Sequence, residues 1–416
     1  TDPWGNPLSF SRQVSTGNIV DIFDLDPCLF EVDPCVDPVI GELFKLEIPA
    51  NRIYGLDILR AMAILFVVYA HGSYLLRNVL PIDLVNILVL DGVAIFFVLS
   101  GYLIGGILIK QFDRGSANPA GLSRFWVRRW FRTLPNYFLV LGILVAYQVS
   151  TSDLRLADVG SYFLFLQNFA SKHPRFFPEA WSISIEEWFY LLVPSALLLL
   201  ITLKLQLRRA LLVLIAGIAL TSIAWRYWRF SSMDVGNIFV WDAQFRKQVV
   251  TQMDSLIYGV FCAYLSYYHN QAWRRFRMPL FMLGLVLLAA HRFSMFHQVN
   301  YLQQFGLYYS VFSSVLISVG TALLLPLLAN LRGDHGLLYR FFSYVSLISY
   351  SMYLLHFSLV QRILVPWSGS LLPNMPDPWL SISHYLLFWV ITLALSTLLC
   401  KYFELPMMRL RERFSR

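Results

Sequence analysis

Arg60 and His71 close the two ends of the stretch RAMAILFVVYAH, which is otherwise mostly apolar. Ionisable side chains inside a membrane-spanning stretch are costly and default to a functional reading. On a helix, eleven residues turn 1100°, within about 20° of three full turns, and rise ~16 Å. The two side chains therefore share one face, separated by roughly half of a ~30 Å hydrocarbon core. A neutral imidazole can take a proton, and a guanidinium can hold an anionic group. A plainer reading stands beside each. Arg60 can be an anchor that reaches headgroups, and His71 can be a packed ring bonded to a neighbouring carbonyl.

A second cluster is RFWVRRWFRTLP, residues 124–135. Arg128 and Arg132 are four apart, and Arg129 and Arg132 three apart, so Arg132 is flanked on one face. With Trp126 and Trp130 between them, such guanidiniums suit a phosphate-rich ligand. That segment alone favours the plainer reading, anchoring against anionic lipid. A third cluster is EAWSISIEEWFYLLVP, residues 179–194. Glu186 and Glu187 sit about 100° apart on a helix, so only one is expected to face a given site. That carboxylate could orient a histidine or accept from a sugar hydroxyl, or both could reach water. Trp181, Trp188 and Tyr190 suit a membrane interface either way.

Two further stretches carry polar residues. In DGVAIFFVLSGYLIGG, residues 91–106, Ser100 and Gly101 fall mid-span, where small residues allow helices to approach closely. Ala94, Gly105 and Gly106 hint at space for a small group. Asp91 could meet sugar hydroxyls or cap a helix, with the cap favoured. In SYVSLISYSMYLLHF, His356 is a rival for the role given to His71; its helix could line a wet cavity or bond to neighbouring helices.

The elements that must position these residues follow from composition. The 416 residues are 57% hydrophobic and only 14% charged, against about 25% charged in an ordinary soluble protein. This excludes a soluble enzyme and predicts an all-α polytopic membrane protein. Ten apolar stretches fall near 57–77, 83–109, 134–150, 183–203, 209–225, 250–268, 278–291, 307–329, 341–365 and 383–403. With both termini cytoplasmic, inward-facing ends carry about twice as many Lys and Arg residues as outward-facing ones, which favours that orientation. Residues 1–50, acidic and proline-punctuated, lack a signal peptide's basic start. They are expected to be a flexible cytoplasmic tail; Phe23, Leu25, Leu29 and Phe30 leave room for partner docking. Residues 51–416 form the membrane domain. Cys28, Cys35, Cys262 and Cys400 fit no zinc or thioredoxin spacing. Cys262 and Cys400 are expected to be packing residues, and no metal or nucleic-acid partner is expected.

In order along the chain, YGLDILRAMAILFVVYAH, GVAIFFVLSGYLIGG, FWVRRWFRTLPNYF, WSISIEEWFYLLVP, YSMYLLHF and YFELPMMRL resemble the acyltransferase-3 family of integral membrane acyltransferases. The likeness covers roughly residues 52–413 and leaves residues 1–50 unexplained. It implies about ten helices in a bacterial inner (plasma) membrane. It also implies an acyl-CoA donor, most often acetyl-CoA, reached from the cytoplasm, and transfer to a hydroxyl of a glycan or lipid-linked sugar at the outer face. By this resemblance His71 is essential and supported by Arg60, Arg129 and Arg132 match the basic motif, and Glu186 matches the conserved carboxylate. Glu404 resembles the C-terminal one, and an inner-surface ion pair explains it equally well. Many relatives carry a C-terminal esterase-like domain; none is read here, so this chain is expected to complete the transfer itself or with a partner.

The mechanistic expectation is a general-base transfer. His71 takes the acceptor's proton, Glu186 orients His71, and Arg60, Arg128, Arg129 and Arg132 bind the donor's phosphates. Asp91, Glu187, Tyr190 and His356 are expected around the acceptor. A variant route passes through an acyl-enzyme at histidine or serine. Two competing classes are a secondary transporter or flippase, against which no matching broken helices occur in two halves, and a scaffold that docks a partner through its acidic tail.

Overall fold

A computed structural model describes residues 46–49, 52–81, 87–151, 156–298, 305–333, 336–369 and 375–414. The expectations for residues 1–45, including Cys28 and Cys35, lie outside the described residues. Among the described residues there are helices and no strands. Ten long helices carry the fold: α1 (Tyr54–Gly72), α2 (Gly92–Asp113), α3 (Pro119–Thr151), α4 (Ala180–Thr202), α5 (Leu207–Ser232), α6 (Val249–Tyr268), α7 (Arg277–His297), α8 (Ser313–Leu328), α9 (Leu337–Leu355) and α10 (Asp377–Leu399). They match the ten apolar stretches one for one. α3 begins earlier than its apolar stretch because the arginine-rich segment continues the same helix.

Nine candidate spans among the described residues are long and apolar enough to cross a membrane. α6 is not one of them, because the polar residues Thr251, Gln252, Asp254 and Ser255, all buried, lower its mean hydropathy. It nevertheless shares the depth of α2. A Cβ on Gly101 would lie 1.8 Å from the Leu256 carbonyl oxygen, and one on Gly259 would lie 2.1 Å from that of Val98. Arg246, just before α6, pairs with Asp91 at one end of α2. At the other end Tyr267 donates to Asp113 at 2.7 Å. The two helices thus run parallel, backbone against backbone, which only glycine permits. The apolar span pattern and this geometry establish an all-α polytopic membrane protein.

α1 lies centrally, packed on α2, α8, α9 and α10. Gly92 brings α2 against it, since a Cβ there would lie 2.1 Å from the Ala63 carbonyl oxygen. α9 does not stop at Leu355. It widens into a π-helical segment, His356–Leu364, and α10 widens likewise over Cys400–Glu404. Such widened turns recur at functional positions because they rotate the side chains that follow and free backbone groups. Cys262 and Cys400 are buried and unpaired, in keeping with packing roles.

Candidate active site

Two histidines distant in sequence meet at one end of the bundle. His71 Nδ1 lies 2.8 Å from His356 Nε2. His356 Nδ1 lies 3.0 Å from the carbonyl oxygen of Met352 and 2.9 Å from that of Tyr353. Carbonyls only accept, so His356 Nδ1 carries the proton. With both rings neutral, His356 Nε2 is then an acceptor and His71 Nδ1 donates to it. The tautomers follow from this network, and they leave His71 Nε2 with a free lone pair. The Phe357 ring lies tilted against His71 with centroids 4.6 Å apart, and Gln361 donates to the His71 carbonyl at 2.8 Å. His356 is fully buried. The ring that contacts His71 Nδ1 is therefore His356, on the π segment.

Glu186 is engaged elsewhere. Its Oε1 accepts from Ser100 of α2 at 3.1 Å, and its Oε2 accepts from Tyr190 at 2.8 Å. Arg129 donates to the Tyr190 hydroxyl at 2.9 Å, and its guanidinium lies 4.7 Å above the Tyr190 ring. Glu187 faces the other way, accepting from Thr133 of α3 at 2.7 Å. The two neighbouring carboxylates do part to different sides. Glu187 is buried and Glu186 half-buried, so neither has the open exposure of a water-facing glutamate. Tyr190 joins the arginine side to Glu186, a link that spacing alone did not reveal.

The opposite end of α1 gathers arginines. Arg60 lies within electrostatic reach of Arg132, Arg52 and Arg129, and Arg132 within reach of Arg129 and Arg52. Arg52 is matched by Asp57, with bonds of 2.7 and 2.5 Å, and Ser346 braces Asp57 at 2.8 Å. Among the described residues Arg60 and Arg132 donate no hydrogen bond and form no ion pair, and both are half-buried. The nearby carboxylates give their lone pairs to other donors. Glu404 accepts from Ser351 at 2.7 Å and Asn136 at 3.0 Å, inside the widened end of α10. Like charges this close in a weakly polar interior repel, so the cluster favours an incoming anion. Arg128 is exposed and takes no part in these interactions.

Asp91 caps α2, accepting from the backbone N–H groups of Val93 and Ala94 at 3.1 and 3.2 Å. It also accepts from Arg246 at 2.7 and 3.0 Å. Burial pushes the Asp91 carboxyl up, but Arg246 and the two backbone donors outweigh it and hold its pKa below the usual carboxylate range. Arg246 in turn bonds Asp242 at 3.0 Å and lies 4.9 Å over the Trp181 ring. This charged strap stands at the His71 end. Sequence spacing did not reveal it, since Asp91 and Arg246 are 155 residues apart. Of the small residues that hinted at space, Gly105 is closely packed, since a Cβ there would meet Ala263 at 3.0 Å, and Ala94 is buried. Among the described residues no group of three or more His, Cys, Asp or Glu side chains is arranged to hold a metal ion.

Comparison with known proteins places the chain in a family. The acyltransferase-3 family model, described as an acyltransferase domain, matches residues 53–401. The peptidoglycan O-acetyltransferase OatA of Listeria monocytogenes is 32% identical over 151 residues, covering 32% of this chain and 24% of that protein. A Staphylococcus aureus protein named for O-acetyltransferase activity is 25% identical over 351 residues, covering 75% of this chain and 51% of its own length. YrhL of Bacillus subtilis, named for peptidoglycan O-acetyltransferase activity, is 34% identical over 162 residues, covering 35% of this chain and 24% of that protein. The chain thus spans about half the length of the S. aureus relative and a quarter of the other two. No solved structure matches the chain. With the match running from α1 into the widened end of α10, the chain belongs to the acyltransferase-3 family and carries that family's acyltransferase domain in a bundle of candidate membrane spans.

Proposed function

We propose that this protein moves an acyl group, acetyl in the first instance, from cytoplasmic acyl-CoA to a hydroxyl of a glycan or lipid-linked sugar at the outer face. The observation that carries the reading is the His71–His356 contact of 2.8 Å, with His356 tied to two carbonyls so that His71 presents an unprotonated Nε2. That is the state a general base needs. The names of the relatives point to cell-wall peptidoglycan as the acceptor class.

In this scheme the donor's phosphates rest among Arg60, Arg129 and Arg132, with Arg128 at the exposed rim. The slender pantetheine arm runs inward along α1 toward His71. The acceptor hydroxyl approaches His71 Nε2 from the other side, past the Asp91–Arg246 strap. Its oxygen forms a bond to the thioester carbon as its proton passes to His71. The carbon–sulfur bond breaks, CoA leaves as a thiolate, and the proton on His71 is then released to it or to water. The Nδ1–H of the resulting imidazolium stays bonded to His356 Nε2, which stabilises the positive charge. Glu186, held by Ser100 and Tyr190, supplies negative charge midway between the two ends. Glu187 holds α3 against α4 through Thr133. No charged donor needs to cross the bilayer, because reactants enter from opposite faces.

The test uses the purified full chain in detergent with acetyl-CoA and a soluble glycan acceptor. Positioned proton transfer contributes ~10²–10⁴-fold, so His71→Ala is expected to lose turnover by about that factor while retaining acetyl-CoA binding. Normal turnover by His71→Ala would sink the scheme. Turnover that required a membrane gradient would point to transport instead.

A further inference from the structure

One buried carboxylate outside the arrangement above sits beside the dyad. Glu179, immediately before α4, is only 3% exposed. Its Oε1 accepts from the backbone N–H of Ser358 at 2.6 Å, and its Oε2 accepts from the Ser358 hydroxyl at 2.5 Å. Its own carbonyl accepts from Tyr353 at 3.1 Å, and Ser182 donates to the same tyrosine hydroxyl at 2.6 Å. Glu179 therefore grips the chain on both sides of His356.

The position of Ser358 matters. Inside a regular helix its N–H would return to a carbonyl one turn back, that of Leu354, or in a π turn that of Tyr353. Here it is met by Glu179, from the turn that precedes α4. The Tyr353 carbonyl accepts from the His356 ring. The carboxylate thus holds the backbone two residues beyond His356, while the imidazole is held by the carbonyls three and four residues before it. Those carbonyls fix the tautomer of His356 and, through it, the free nitrogen of His71.

We propose that Glu179 and Ser358 are positioning residues for the transfer reaction: their paired hydrogen bonds hold open the widened turn that aims His356 at His71. The proposal rests on the dyad reading above. A glutamine at 179 can accept from the Ser358 N–H through its carbonyl and donate to the Ser358 hydroxyl through its amide, so it preserves the clasp. Burial pushes the Glu179 carboxyl up to about 7, against the opposing pull of the Ser358 donors. Near neutral pH an uncharged isostere thus mimics one of the two forms the residue adopts. Alanine preserves neither bond.

The experiment measures acetyl-CoA turnover and, separately, acetyl-CoA binding for wild type, Glu179→Ala, Glu179→Gln, Ser358→Ala, His356→Ala and the Glu179→Ala, His356→Ala double variant, each as the full chain. A displacement of about 1 Å in a reacting group can cost 10²-fold. Glu179→Ala is expected to lower kcat by about 10–100-fold with donor binding unchanged, and Glu179→Gln to restore it to within a few-fold. Ser358→Ala, which removes one of the two bonds, is expected to fall between, and it serves if Glu179→Ala does not fold. In the His356→Ala background, Glu179→Ala should cost nothing further, because there is no ring left to aim. A full multiplicative loss on top of His356→Ala would overturn the proposal by showing a general structural role. So would wild-type kcat in Glu179→Ala. Wild-type kcat in both His71→Ala and His356→Ala would instead remove the dyad reading, and the proposal with it.

Discussion

At the scale of single residues, the chemistry depends on which atoms are already engaged. His71 keeps Nε2 free because Nδ1 is committed to His356. Arg132 keeps its donors free because Glu404, the carboxylate in its field, is bonded to Ser351 and Asn136. Arg129 differs from Arg132 in that it also braces Tyr190. Substituting the two should therefore have separable effects. Hydrogen bonds to charged groups are each worth ≈1.5–3 kcal/mol, about 10- to 100-fold. Arg132→Ala is expected to raise the acetyl-CoA KM by about that factor with kcat little changed. Arg129→Ala should raise KM and lower kcat together, since it also releases Tyr190 and Glu186. Steady-state kinetics over a range of acetyl-CoA concentrations separates the two, and equal, pure kcat losses would remove the donor-site assignment.

At the scale of elements, two devices build the site. One is the widened turn, used at His356 on α9 and again at Glu404 on α10. It places a polar side chain where a regular helix would have carried it past the target. The other is the glycine seam between α2 and α6, which sets the depth of Ser100 and hence of Glu186. Because the atom facing Gly101 is the Leu256 carbonyl oxygen at 1.8 Å from an added Cβ, no side chain can move aside to admit one. Overpacking typically costs 1–3 kcal/mol, occasionally more, and contact with rigid backbone belongs at the upper end. Gly101→Leu is expected to lower the thermal unfolding midpoint in detergent and the yield of monodisperse protein. Gly217, which has no neighbouring atom within 4 Å of an added Cβ, should accept the same change with little loss. Equal behaviour of the two variants would mean that the seam does not hold the bundle.

At the scale of the whole molecule, the site is polarised along α1: guanidiniums at one end, an imidazole pair at the other. Proposed transfer across the bilayer requires that the arginine end face the cytoplasm. The parallel course of α2 and α6 fits that arrangement, because both then leave the outer face where Asp91 and Arg246 pair. Ser123 and Ser171, both exposed, report the two faces. In a background without Cys28, Cys35, Cys262 and Cys400, Ser171→Cys should react with a membrane-impermeant maleimide in intact cells. Ser123→Cys should react only after lysis. The reverse pattern would turn the molecule over and place the arginines outside, where no acyl-CoA is available.

Much of this was legible in the sequence because it is local. The shared face of Arg60 and His71, the parting of Glu186 and Glu187, and the cap made by Asp91 all follow from helical periodicity over a few turns. The ten stretches follow from the length of apolar chain a bilayer demands. Tertiary structure alone decided which side chains meet. His71 and His356 are 285 residues apart, and Glu179 and Ser358 are 179 apart. Nothing in their spacing says that a widened turn will bring one to the other. For the same reason the sequence could offer Glu186 as a partner for His71 but could not weigh it against Ser100 and Tyr190. That competition is settled by the rotation and depth of packed helices, which depend on glycine contacts between segments far apart in the chain.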